Sequence, residues 1–179
     1  MIAKEKNIVS EKTTIVLRSA SKNDCELLYK YSKDTAEESL YITRDSNDFE
    51  NFEAFTEYIS SFESAKRSLF LLMYENGELL GSATLCPVSE GSRLRHRCVT
   101  TIALYENCCG KGLGKILFNE ILCTAKALGF EQAELQVAKE NLRAIAFYKK
   151  FGYAVTGEIP KALKTPEGYK DNYIMAKEL

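Results

Sequence analysis

Three glycines at alternate positions, Gly110, Gly112 and Gly114, interleaved with Lys111, Leu113 and Lys115, form the stretch of this chain best suited to hold an anion. An apolar, β-branched run, Val99-Thr100-Thr101-Ile102-Ala103-Leu104, precedes them and reads as a strand. Leu113, Ile116, Leu117, Ile121, Ala125 and Leu128 follow on one face at helical spacing. Glycine adopts dihedrals that other residues avoid and lets a ligand approach the main chain. The first-turn N–H groups of a helix lack intrahelical partners and carry the positive end of its dipole. Glycines where a strand stops and a helix starts therefore make either an anion site, most naturally for a phosphate or pyrophosphate, or simply a glycine-rich turn that opens a helix. Two nucleotide motifs do not fit. A P-loop needs Ser or Thr after its lysine, but Gly112 follows Lys111 and Ile116 follows Lys115. A dinucleotide fingerprint needs G-x-G-x-x-G near a first strand, whereas this G-x-G-x-G lies past the middle of the chain.

A second pattern lies downstream. Glu134-Leu135-Gln136-Val137 reads as a strand, and residues Asn141 to Tyr153 read as a helix closed by Gly152. The order strand, glycine-loop helix, strand, N-x-x-A-x-x-F-Y-x-K-x-G-Y resembles the GNAT superfamily of acyl-CoA-dependent N-acetyltransferases. In that family the glycine loop is usually written [QR]-x-x-G-x-[GA], and Asn141 and Tyr148 match the motif that follows. The resemblance is specific from Val99 to about Tyr153. It extends loosely to Ile15–Arg18 with Ala20 and to Tyr173–Met175. Cys109 stands where the family has Gln or Arg.

The resemblance implies a mixed α/β fold: a twisted sheet of six to seven strands, helices on both faces, and a splayed parallel pair at Val99–Leu104 and Ala133–Val137. It implies that the pantetheine arm of acetyl-CoA pairs with the main chain of Ile102, Ala103 and Leu104. An N–H near Ala103 or Leu104 would hold the thioester oxygen. The pyrophosphate would lie on Cys109, Gly110, Lys111, Gly112, Leu113, Gly114 and Lys115. Asn141 would cap its helix and bond the pantetheine, and Tyr148 would be the general acid for the CoA thiolate. Many relatives carry a base as a Glu in the long strand, but Val99–Leu104 holds no carboxylate. The candidates are His96, the one side chain whose ordinary pKa is near neutrality, and Glu158, Glu37 or Glu38 acting through water. Asp171 is a further candidate. The acidic Asp34–Glu38 segment is expected to wall the acceptor site and attract an amine.

The rest of the chain must position these residues. Its 179 residues suffice for one domain, expected over 13–179 behind a flexible arm at 1–12. Thr14–Arg18 reads as a strand, and Ser21-x-x-Asp24 as a capping box opening a helix with Leu27, Leu28 and Tyr31. Residues 34–48 read as a loop or irregular helix. Phe52, Phe55, Ile59 and Phe62 mark an amphipathic helix from Phe49 to Phe62. Ser68–Tyr74 and Glu78–Cys86 form a hairpin about Asn76-Gly77, and a long strand runs from Leu94 to Leu104. Ala154–Glu158 is a strand, a loop marked by Pro160, Pro166 and Gly168 follows, and Tyr169–Ala176 closes the chain as a strand.

Composition narrows the function class. The net charge of −1 is evenly mixed, which argues against nucleic acid as a partner. No apolar run reaches membrane-spanning length and the N-terminus lacks a signal-peptide core, so a cytoplasmic protein without a membrane partner is expected. The six cysteines (25, 86, 98, 108, 109 and 123) lack metal-ligand spacing, so reduced thiols and no metal are expected. Three readings result. The first is an N-acetyltransferase using acetyl-CoA and a primary amine, as monomer or homodimer. The second is a non-catalytic acyl-CoA-binding module, and the third a redox-responsive protein using Cys108-Cys109.

Overall fold

The computed structural model describes residues 5–9, 14–43, 51–91 and 93–179. Eight strands form one sheet: β1 (Lys6–Val9), β2 (Thr14–Ser19), β3 (Leu69–Glu75), β4 (Glu78–Pro87), β5 (Arg97–Leu104), β6 (Gln132–Ala138), β7 (Ala154–Thr165) and β8 (Gly168–Glu178). Their order is β1-β2-β3-β4-β5-β6-β8-β7, and among the described residues only the β5–β6 pairing is parallel. The helices are α1 (Cys25–Glu38), α2 (Phe52–Ser64), α3 (Leu113–Ala127) and α4 (Leu142–Lys150).

Period-two alternation divides the core into two layers. In β3, Leu69, Leu71 and Met73 join Leu117, Phe118 and Ile121 of α3. Phe70, Leu72 and Tyr74 point the other way, toward Leu28 and Tyr31 of α1 and Ile59 of α2. The sheet is therefore covered on both faces, which is why β3 reads as one unbroken apolar run. Asn76 and Gly77 both take positive φ, 51° and 84°, as the tight β3–β4 turn requires.

The mixed α/β class and the splayed parallel pair agree with the sequence reading; several boundaries do not. There are eight strands rather than six or seven, because β1 pairs antiparallel with β2 inside the stretch read as an arm. Residues 1–4 and 10–12 of that arm lie outside the described residues, as do 44–48 and Phe49. The acidic Asp34–Glu38 segment is the last turn of α1, not a loop. β5 begins at Arg97, since residues 93–96 form a turn closed by the Arg97 N–H on the Leu94 carbonyl, 3.0 Å. β7 runs through Pro160 to Thr165, with an irregularity between Ile159 and Leu163 that absorbs the proline at the sheet edge.

One feature of the sheet positions the site. β5 is paired with β4 along Cys98–Leu104, but with β6 only at Arg97–Val99 against Gln132–Glu134. β6 then stays with β8 to Ala138, so β5 and β6 part beyond Val99 and Glu134. Thr100, 1 % exposed, lies at the fork, with its hydroxyl 3.0 Å from the Tyr153 hydroxyl. Below it Arg97 clasps the two strands, its Nη2 donating to Glu134 Oε2 at 2.8 Å. The hydrogen bonds from Arg97 hold the Glu134 carboxyl below its ordinary range. A depressed carboxylate stabilises the fold above its unfolded pKa, about 4.3, and that contribution is lost as pH falls through the folded value. Glu134→Gln is therefore expected to lower Tm at pH 7 by roughly 2–4 °C. The difference from wild type should shrink below about pH 4 in thermal melts. An equal difference at pH 3 would remove this assignment.

Candidate active site

Backbone alternation decides which groups of β5 face the gap. The Tyr105 N–H donates to the Leu80 carbonyl of β4 at 3.1 Å, and the Arg97 carbonyl accepts from Val88 at 3.0 Å. Odd-numbered residues of β5 thus turn their polar groups to β4. Ala103 belongs with them, and its carbonyl also accepts from the Tyr31 hydroxyl at 2.8 Å. Ile102 and Leu104 turn theirs to the opposite edge, where β6 has already left. Two adjacent main-chain donors therefore line the gap. Gly81 of β4 makes room behind them: a Cβ there would sit 2.8 Å from both the Ala103 oxygen and Leu104 Cγ.

At the far end of β5 a short 3-10 turn, Glu106–Cys108, leads into the glycine loop. Gly110 and Gly112 have φ of 79° and 84°, with open space where side chains would project. Gly112 caps α3, whose first-turn amides lack intrahelical acceptors, and a Cβ on Gly114 in that turn would lie 3.5 Å from Leu104 Cδ1. Lys111 and Lys115 are exposed beside it. Cys109 is half-buried, and its thiol lies 3.6 Å from the Tyr105 carbonyl. Across the gap Arg143 of α4 brings Nη2 to 3.5 Å from Cys109 Sγ and Nη1 to 3.6 Å from Glu106 Oε1. All six cysteines are free thiols.

Asn141 caps α4, its side chain accepting from the Ala144 N–H at 3.1 Å. Two turns on, Tyr148 is buried in an aromatic cluster with Phe118, Phe147 and Tyr153. Among the described residues no group hydrogen-bonds its hydroxyl, and burial pushes its pKa up to about 12. The phenol is therefore protonated throughout the neutral range.

The other candidate residues are dispersed. His96 precedes β5, where its carbonyl accepts from Glu131 and Gln132. That is roughly 20 Å along the strand from Ile102, on the closed side of the fork. Glu158 is occupied by Lys139 at 2.6 Å, and Asp171 accepts from the Lys161 N–H at 2.8 Å. Glu38, at the end of α1, accepts from the Glu106 N–H at 2.8 Å. It faces a cavity of about 510 Å³ together with Tyr41, Glu106, Glu140, Asn141, Arg143 and Glu167. Glu37 does not line that cavity. Glu106, Glu140, Glu167 and Arg143 escaped the sequence reading because they come from separate elements and form no linear motif. Among the described residues, no helix is long and apolar enough to cross a membrane.

A model of the acetyltransferase (GNAT) family matches residues 28–153. The uncharacterized protein YdhI of Bacillus subtilis is 27% identical over 95 residues, which make up 53% of this chain and 55% of that protein. The match thus spans about half the length of this relative. Among solved structures, a GNAT-family acetyltransferase from Streptococcus pneumoniae superposes with a TM-score of 0.85 at 23% identity, covering 92% of this chain and 99% of that one. The yncA protein of Salmonella typhimurium, solved with its cofactor acetyl-CoA, gives 0.81 at 19% identity over 92% and 94%. A phosphinothricin acetyltransferase from Sinorhizobium meliloti, in complex with acetyl-CoA, gives 0.81 at 18% identity over 92% and 88%.

Proposed function

Since the chain belongs to the GNAT acetyltransferase family, we propose that it transfers an acetyl group from acetyl-CoA to a primary amine by direct attack in a ternary complex. The observation that carries this reading is the gap between β5 and β6, with two main-chain donors on one wall and the glycine loop at its open end. A pantetheine arm carries amide groups that can pair with such an edge, and a diphosphate suits free helix-terminal amides. The pantetheine contact needs only main chain, and the helix-terminal amides supply the backbone part of the diphosphate contact.

In this reading the Ile102 or Leu104 N–H holds the thioester oxygen as negative charge develops there. Ala103 is excluded from that role because its polar groups serve β4. The amine nitrogen forms a bond to the acetyl carbon, the carbon–sulfur bond breaks, and the amine's surplus proton ends on sulfur. Tyr148 acts at the sulfur. An alkyl thiol has a pKa of about 8.5, so complete proton transfer from a phenol near 12 is uphill by roughly 5 kcal/mol. The hydroxyl therefore stabilises the departing thiolate chiefly by donating a hydrogen bond, and the more acidic ammonium proton completes neutralisation.

The acceptor enters through the cavity walled by Glu38, Glu106, Glu140 and Glu167, whose charge favours a cationic amine. Among the carboxylates named from sequence, Glu38 is the one that lines this cavity, and we assign it the proton of the incoming ammonium, relayed through water. His96 and Glu158 have no part in the reading.

Calorimetric titration of the reduced protein with acetyl-CoA, with ATP and NAD as controls, tests the donor. One equivalent of acetyl-CoA and neither control is the expected result. An amine panel followed by mass spectrometry then tests transfer. Binding without transfer to any amine would favour a non-catalytic acyl-CoA-binding module; absent binding would end the donor assignment.

A further inference from the structure

Cys109 leaves the glycine loop without a cationic or amide side chain at its first position, yet a guanidinium stands over that position. It arrives from a different element, the first turn of α4. Arg143 Nη2 lies 3.5 Å from Cys109 Sγ and Nη1 lies 3.6 Å from Glu106 Oε1, so the side chain spans from α4 to the loop. Its side chain is 67% exposed, and the partner carboxylate is 62% exposed. A thiol is a weak acceptor and an exposed ion pair is worth little, so nothing holds the guanidinium firmly where it rests. The site beneath it has open space over Gly110 and Gly112.

We propose that Arg143 is the phosphate clamp of this chain: it leaves Glu106 and closes over the diphosphate of the donor, supplying from α4 the charge that the loop lacks at Cys109. This rests on the donor reading above. A guanidinium offers a planar fork that matches phosphate oxygens, which an ammonium cannot reproduce. Glu106 is its resting partner and competes with the diphosphate for it. The arrangement makes donor affinity depend on α3 and α4 keeping their spacing, where a loop arginine would depend on the loop alone.

Three donors separate the contributions: acetyl-CoA, acetyl-dephospho-CoA, which lacks the 3′-phosphate, and acetyl-pantetheine, which lacks the diphosphate. At fixed ionic strength Arg143→Ala should weaken acetyl-CoA and acetyl-dephospho-CoA alike, by roughly 10- to 100-fold in Kd. Acetyl-pantetheine should bind both proteins equally. Cys109→Arg in the Arg143→Ala background should restore most of the loss. Lys149→Ala, which removes an exposed cation further along α4, should change Kd by less than about twofold. Equal acetyl-CoA affinity in wild type and Arg143→Ala overturns the clamp and leaves the donor reading standing. A loss confined to acetyl-CoA would move Arg143 to the 3′-phosphate and also overturn it. A wild type that binds no acetyl-CoA overturns the donor reading, and the clamp with it.

Discussion

Tyr148→Phe is expected to lower kcat for the proposed acetyl transfer by roughly 10²- to 10³-fold and to leave the Kd of acetyl-CoA within about twofold of wild type. The size follows from where the hydroxyl acts. Charge builds on sulfur only as the carbon–sulfur bond breaks, so a donor aimed there stabilises the transition state more than the bound ground state. The variant carries its own control for folding. The Tyr148 hydroxyl has no hydrogen-bond partner among the described residues, and the ring sits among Phe118, Phe147 and Tyr153. Removing the oxygen breaks no hydrogen bond among the described residues and leaves the ring packing in place, so Tm should stay close to wild type. A loss of turnover with unchanged Tm therefore belongs to chemistry. The pH dependence adds a second check. With the phenol pushed up to about 12, wild-type kcat should show no basic limb from Tyr148 below about pH 11. Unchanged kcat in the Phe variant would remove the hydroxyl from the mechanism.

The glycine loop and the α4 cap were legible in the sequence because their signals are local. Positive φ at Gly110 and Gly112 is a property of two residues and the turn they occupy, and Asn141 caps α4 three residues before the amide it accepts from. The apolar run of β3 and the Asn76-Gly77 turn were legible for the same reason. The acidic cavity was not. Glu38, Glu106, Glu140 and Glu167 meet only because α1, the β5 exit, the α4 entry and the β7–β8 hairpin converge on one cavity. No spacing in the chain encodes that convergence. His96 attracted notice through its chemistry alone, and the turn at 93–96 puts it on the closed side of the fork. The strand expected from Leu94 starts three residues later, at Arg97, because the polar–apolar alternation of residues 94–96 belongs to a turn. Arg143 was hidden differently: its motif position is exposed helix surface, and only tertiary packing brings it to Cys109. Even the strand residues named for the pantetheine were resolved only partly, since the sequence cannot say which of Ile102, Ala103 and Leu104 faces the gap.

That parity yields the second large effect. Ile102→Pro removes an N–H that points into the gap and serves no ladder bond, whereas Ala103→Pro removes one that faces β4. Proline is tolerated in a strand where its missing N–H is not needed by a neighbour, and a strand-region φ accommodates it with modest adjustment. Ile102→Pro should therefore fold, with a Tm lower by several degrees from trimmed apolar contact, and should lose acetyl-CoA turnover by at least about 100-fold. Ala103→Pro should lose about 3 kcal/mol or more of stability, because the ladder to β4 is broken and the carbonyl that accepts from Tyr31 is displaced. The pair differs by one position, so composition and general strand disruption cannot account for opposite outcomes. Melting curves and turnover on the two variants decide it. If Ile102→Pro folds and retains activity, main-chain recognition at that residue is wrong. If the stabilities are reversed, the alternation assigned to β5 is wrong, and the thioester contact moves to the opposite parity.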